Sequence, residues 1–174
     1  MKLTWFGGST FRVQIGGQVV VIDPQSAPAG IDQGELVSGA DRVVTFGESF
    51  AAAEALTWKP RAAERLLDAG DSMRPVRLWT VGPGSLLVEG DDEMPLLFLG
   101  GPVPALGRWA DGAVVVLLAQ GLAARAAALF EARSPRLVAL AGDESEVGDA
   151  FEAVRPMLDG TGLVALEPGL AVEA

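Results

Sequence analysis

The chain contains no histidine and no cysteine among its 174 residues, and these two absences exclude a large block of chemistry. Without cysteine there is no disulfide framework, no thiolate nucleophile, no thiolate-held zinc and no iron–sulfur cluster. Without histidine there is no imidazole to hold a metal or to carry a proton near neutral pH. Lysine is scarce as well, Lys2 and Lys59 being the whole complement. A turn serine such as Ser9 or Ser85 therefore lacks the usual base for a nucleophilic role. Long apolar runs are missing too: none approaches the ~18 residues of a membrane span, and the opening MKLTWFGG lacks the apolar core and small-residue cleavage site of a signal peptide. The expectation is a cytoplasmic protein with no membrane partner.

What is present is apolar and acidic. Hydrophobic residues make up 49% of the chain and charged residues 21%, so a sizeable core is available and disorder is not a candidate. A single domain over residues 1–174 is the expectation, since this length falls within the ordinary range for one core. The net charge of −10 opposes a phosphate backbone, whose attraction depends on Lys and Arg displacing counterions. Nucleic acid is excluded as a partner on that ground. The acidity is read as a means of keeping an apolar protein soluble.

Turn residues divide the chain clearly. Lys2 to Phe6, Thr10 to Ile15 and Gln18 to Asp23 read as three strands joined at Gly7-Gly8 and Gly16-Gly17, and Val19 to Ile22 is a β-branched run suited to burial on both faces. Asp32 to Leu36 reads as a turn of helix and Arg42 to Thr45 as a further strand. Pro60, Ala63, Leu66 and Leu67 suggest a helix closing near Gly70. Val76 to Val81, Ser85 to Glu89 and Pro95 to Leu99 form a second meander. In the last third, strands and helices alternate: Ala113 to Leu118, helix 123–132, Arg136 to Leu140, helix 144–158, then Gly162 to Leu166 and Leu170 to Val172. Such alternation lays helices on sheet faces, and the sum is a two-sheet sandwich with helices outside. The apolar stripes Leu122, Ala126, Leu129, Phe130 and Val147, Phe151, Val154, Leu158 are core contacts.

Several acidic or glycine-rich clusters have simple local readings. Asp91-Asp92-Glu93 is a solvated hairpin tip without the spaced oxygen donors of a calcium loop. Asp143 with Glu146 three residues later is a helix cap, its charge facing the helix dipole. Gly82-Pro83-Gly84 and Gly100-Gly101-Pro102 lack the spacing of phosphate loops and read as turns.

The wording of several strands is more specific than these patterns. MKLTWFGGSTFRVQIGGQVVVIDP resembles the opening of the metallo-β-lactamase superfamily, in its small metal-dependent hydrolase branch, where the first hairpin carries Gly-His-Ser and the third strand ends in Ile-Asp-Pro. Ala40 to Thr45 resembles the strand that delivers the family's Thr-His-x-His-x-Asp-His motif. SLLVEGDDEMPLLFLGG, residues 85–101, resembles the hairpin ending in the metal-bridging aspartate, and Val164 to Val172 resembles the closing hairpin. The resemblance implies an α/β (α+β) fold, a four-layer αββα sandwich of the metallo-β-lactamase type, shortened between Thr45 and Val76.

Carried over residue by residue, the resemblance implies that the metal site is lost. Gly8 stands for the histidine of Gly-His-Ser. Phe46 and Glu48 stand for the first two motif histidines, Phe50 and Ala51 for the motif's aspartate and third histidine, Gly101 for the bridging aspartate, and Ala141 or its neighbour Gly142 for a last histidine. Asp23 of Ile-Asp-Pro buttresses the site in the family, and Glu48 is the one donor left at a ligand position. Zinc needs three or four converging donors. The expectation is a non-catalytic protein with no cofactor, in a binding, regulatory or subunit-contact role toward a protein partner, a small molecule or a second copy of itself. In that reading Phe46 and Phe50 plug the former cavity. The rival expectation is a residual hydrolase built on Asp23 and Glu48 with a loosely held ion.

Overall fold

The β-branched and leucine-rich runs separated by glycine turns build two stacked sheets in a computed structural model that describes residues 1–62 and 74–174. The helix expected around Ala63, Leu66 and Leu67 lies outside the described residues. In the first sheet β1 (Lys2–Gly7), β2 (Thr10–Ile15) and β3 (Gln18–Ile22) form an antiparallel meander, β4 (Arg42–Val44) adds parallel to β3, and β12 (Ala171–Glu173) adds antiparallel to β1. Gly16 and Gly17, at φ 55° and 75°, supply the two left-handed residues that the tight β2–β3 turn requires.

The second sheet has the order β11-β10-β9-β8-β7-β6-β5. Its members are β5 (Ala51–Ala52), β6 (Arg77–Thr80), β7 (Ser85–Glu89), β8 (Leu96–Leu99), β9 (Val114–Leu118), β10 (Leu137–Ala141) and β11 (Gly162–Ala165). β6, β7 and β8 form the expected antiparallel meander, and β8 to β11 run parallel. The helix α2 (Leu122–Ala132) crosses from β9 to β10, and α3 (Glu144–Val154) crosses from β10 to β11.

The parity of the second sheet explains its nearly unbroken apolar strands. Leu86, Val88, Leu96, Phe98, Val114, Val116, Ala139 and Ala141 point between the sheets, where they meet Phe11, Val13, Ile15, Val20 and Ile22. Their neighbours Leu87, Leu97, Leu99, Val115, Leu117, Val138 and Leu140 point the other way, onto Leu122, Ala126 and Leu129 of α2 and Ala150 and Val154 of α3. A strand dry on both faces has no polar side to show, hence the absence of alternation. Each fully buried leucine contributes about 1.5–3 kcal/mol of transfer free energy.

The first sheet turns its outer face to α1 (Gln33–Val37), which Asp32 caps by accepting from Glu35 N at 2.9 Å. Arg12, on that outer face, donates to the carbonyls of Leu36 at 2.6 Å and Ser38 at 2.9 Å. The result is the expected αββα order, with α1 as a thin outer layer.

One expected feature is absent. Val164 to Val172 does not close as a hairpin: β11 ends the second sheet beside β10, whereas β12 ends the first sheet beside β1. Leu166 to Gly169 carries the chain between sheets, with Leu166 N donating to Leu140 O at 2.8 Å and Gly169 N to Trp5 O at 2.7 Å. The Pro168-Gly169 turn, Gly169 at φ 82°, serves a crossing as readily as a hairpin.

Candidate functional site

Where adjacent parallel strands end, the loops leaving them diverge and open a crevice at their carboxyl ends, the usual place for a ligand in such sheets. Here β9, β10 and β11 run out together into Leu118 to Gln120, Ala141 to Asp143 and Ala165 to Pro168. The first turn of α3 and the β1–β2 turn of the opposite sheet complete a cavity of about 1110 Å³. Its floor is apolar: Trp5, Leu118, Ala141 and Leu166 are all buried. Its lining carries the carboxylates of Asp143, Glu144, Glu146 and Glu167 and no lysine or arginine.

Two of those carboxylates are tied to backbone. Asp143 caps α3, its Oδ1 accepting from Glu146 N at 2.9 Å, and Glu146 Oε2 accepts from Leu122 N, at the start of α2, at 2.9 Å. Behind the floor, Arg125 of α2 gathers strand-end carbonyls, donating to Leu99 O at 3.0 Å, Gly101 O at 3.2 Å, Ala119 O at 3.3 Å and also to Leu118 O. Burial pulls this guanidinium below its ordinary value and the Glu146 carboxylate offsets part of that; arginine stays charged in proteins. The clamp holds Ala119 in the left-handed region at φ 69°, which costs a non-glycine residue about 1 kcal/mol or more.

The eight positions singled out in the sequence fall into several places. Gly8 and Ala141 face each other's elements across the large cavity. Asp23, itself left-handed at φ 46°, accepts from Phe46 N through Oδ1 at 3.1 Å, and its carbonyl accepts from Thr10 Oγ1 at 2.8 Å. Phe46 and Phe50 pack on the inter-sheet core, Phe46 edge-on to Phe98 with ring centres 6.0 Å apart. With Glu48 they also border a second, smaller cavity of about 520 Å³ against Thr80 to Ser85. Glu48 is exposed and its Oε2 accepts from Thr45 N at 3.4 Å. Ala51 is exposed on the edge strand β5. Gly101 lies against the backbone of Pro83, whose carbonyl oxygen stands 2.5 Å from where a Cβ would be.

The large cavity has no signature of its own in the sequence. Leu118 and Leu166 read there only as the ends of strands, and Asp143 with Glu146 as a helix cap, which the structure shows. The available signal is the βαβα order of the last third, which sets three strand ends side by side.

No family model matches this sequence, and no curated protein matches it. Solved structures do. An isothiocyanate hydrolase from Delia radicum gut bacteria aligns over 99% of both chains with a TM-score of 0.59 at 12% identity. A Thermotoga maritima protein described as a Zn-dependent hydrolase of the metallo-β-lactamase superfamily aligns over 96% of this chain and 99% of its own, with a TM-score of 0.51 at 14% identity. The chain thus has the metallo-β-lactamase-type fold. Its own residues do not fit the metal that such a fold implies. Among the described residues no three Asp or Glu side chains are grouped to hold an ion, and the chain has no His or Cys to add.

Proposed function

We propose that the chain is a non-catalytic ligand-binding protein, a metallo-β-lactamase-type scaffold that has kept a cavity and lost the donors of a metal centre. One observation carries this reading. The side chains at the positions implied to bear ligands are committed elsewhere or bear no donor, while the cavity containing Gly8 and Ala141 is open and apolar-floored. Asp23 and Glu48 each accept a backbone N–H, and neither lines that cavity. This arrangement does not favour a hydrolase built on Asp23 and Glu48, which would need both carboxyl groups to face one substrate. The cavity's concave shape and a volume close to the upper end for small-molecule sites favour a small molecule over a protein as occupant.

Calorimetric titration with zinc and with manganese tests the metal side, and no stoichiometric binding is the expected result. Esterase, lactonase and phosphodiesterase assays with and without added metal test the catalytic side. Turnover that disappears in Glu48→Gln would establish the rival hydrolase instead.

A further inference from the structure

We infer that the strand-end cavity selects an organic cation, an amine or quaternary ammonium group carried on an apolar body. This rests on the cavity being a ligand site, and goes further by giving the ligand a charge.

The apolar floor and a volume of about 1110 Å³ call for a ligand with a hydrocarbon or aromatic body. The lining then decides its polar end. The cavity holds Asp143, Glu144, Glu146 and Glu167 against no lining cation. Arg125, behind the floor, has its guanidinium bound to carbonyls that include those of Leu118 and Ala119, and it does not line the cavity.

An anionic ligand would ordinarily be drawn to helix N-termini, and the start of α3 lies at this cavity, with that of α2 bonded to the lining residue Glu146. The chain's own carboxylates already occupy those ends. Asp143 takes Glu146 N and Glu146 takes Leu122 N, each at 2.9 Å, so an incoming carboxylate or phosphate meets negative charge at both helix starts. A neutral ligand satisfies the floor but gains nothing from the negative charge of Glu144 and Glu167, which stand exposed on the lining. A cation satisfies both. Trp5 adds an indole in the wall, the aromatic type that best attracts ammonium groups.

The test uses three probes with one phenyl body: phenethylammonium, phenethyl alcohol and phenylacetate. Binding to the intact chain is followed by the Trp5 indole N–H resonance, assigned with Trp5→Phe. The cation is expected to bind about tenfold more tightly than the alcohol, with phenylacetate weakest. Neutralising the two carboxylates outside the helix caps, in Glu144→Gln with Glu167→Gln, should erase that advantage and leave the alcohol unchanged. Added salt should weaken the cation alone. Equal binding of cation and alcohol at Trp5 would overturn the charge preference while leaving the cavity a ligand site. Phenylacetate binding tightest would overturn it as well. Failure of all three to move the Trp5 resonance would remove both the preference and the ligand site.

Discussion

Single residues limit where a metal centre could be built into this fold. Gly101 stands at the position implied for a bridging aspartate, and the space its Cβ would take is filled by the Pro83 carbonyl oxygen at 2.5 Å. Gly101→Asp is expected to destabilise the fold by about 1–3 kcal/mol in urea melts, with no recovery on adding zinc, because backbone must move to admit the side chain. At Gly8, by contrast, an added Cβ would find Ser26 O as its nearest neighbour at 3.6 Å, so substitution there meets only the φ 54° backbone. Arg125→Lys should cost about 1–3 kcal/mol, since a point charge replaces a planar fork that serves four carbonyls. Asp143→Ala removes a cap and should cost about 1 kcal/mol, read as a lower midpoint at unchanged slope. The cap was legible because its spacing is local. The placing of Phe46 against Phe98 was not, since 52 positions of chain separate two rings that only sheet stacking brings together.

Elements were legible where a turn or a period declares them. The Gly16-Gly17 turn and the doubly buried runs of β7 to β9 mark strands in the right places, because glycine at positive φ and dryness on both faces leave marks in the residues themselves, whereas the first turn falls one residue on from Gly7-Gly8, at Gly8-Ser9. Pairing left no such mark at the end of the chain. β11 and β12 have the wording of a hairpin, yet each finds its partner in a different sheet, and that choice is settled by edges built far earlier. Removing residues 170–174 should therefore uncover the edge of β1 and promote concentration-dependent association in sedimentation, with little effect on the second sheet. The two-sided sheet makes a second expectation. Leu86 lies between the sheets and Leu117 beneath the helices, both fully buried. Leu86→Ala and Leu117→Ala should each cost about 2–5 kcal/mol in denaturant melts. Their costs should add within about 0.5 kcal/mol, because they belong to separate clusters.

At the scale of the whole molecule, composition and arrangement answer different questions. The net charge of −10 and the absence of histidine and cysteine set limits on partners and chemistry before any fold is known. Where the acidity sits emerges only from assembly, when strand ends and a helix start bring four carboxylates to one cavity. Among the described residues no helix is long and apolar enough to cross a membrane. The fold itself was recognisable from short stretches of strand wording, each weak alone, because they recur in the right order along most of the chain.

The pairing of β12 with β1 has a further consequence. Lys2 stands opposite Glu173, so the two outermost strands in chain order are neighbours in space. Met1 N lies 2.8 Å from Ala174 O, so a short linker spans the two residues, with loss of the Met1 ammonium's ion pair to Glu93. A circular permutant joined from residue 174 to residue 1 by a short glycine linker, and opened at exposed Gly30, should rebuild both sheets and the same cavity. Order along the chain and shape in space are separable here, and the seam between them is a free choice for whoever next builds on this scaffold.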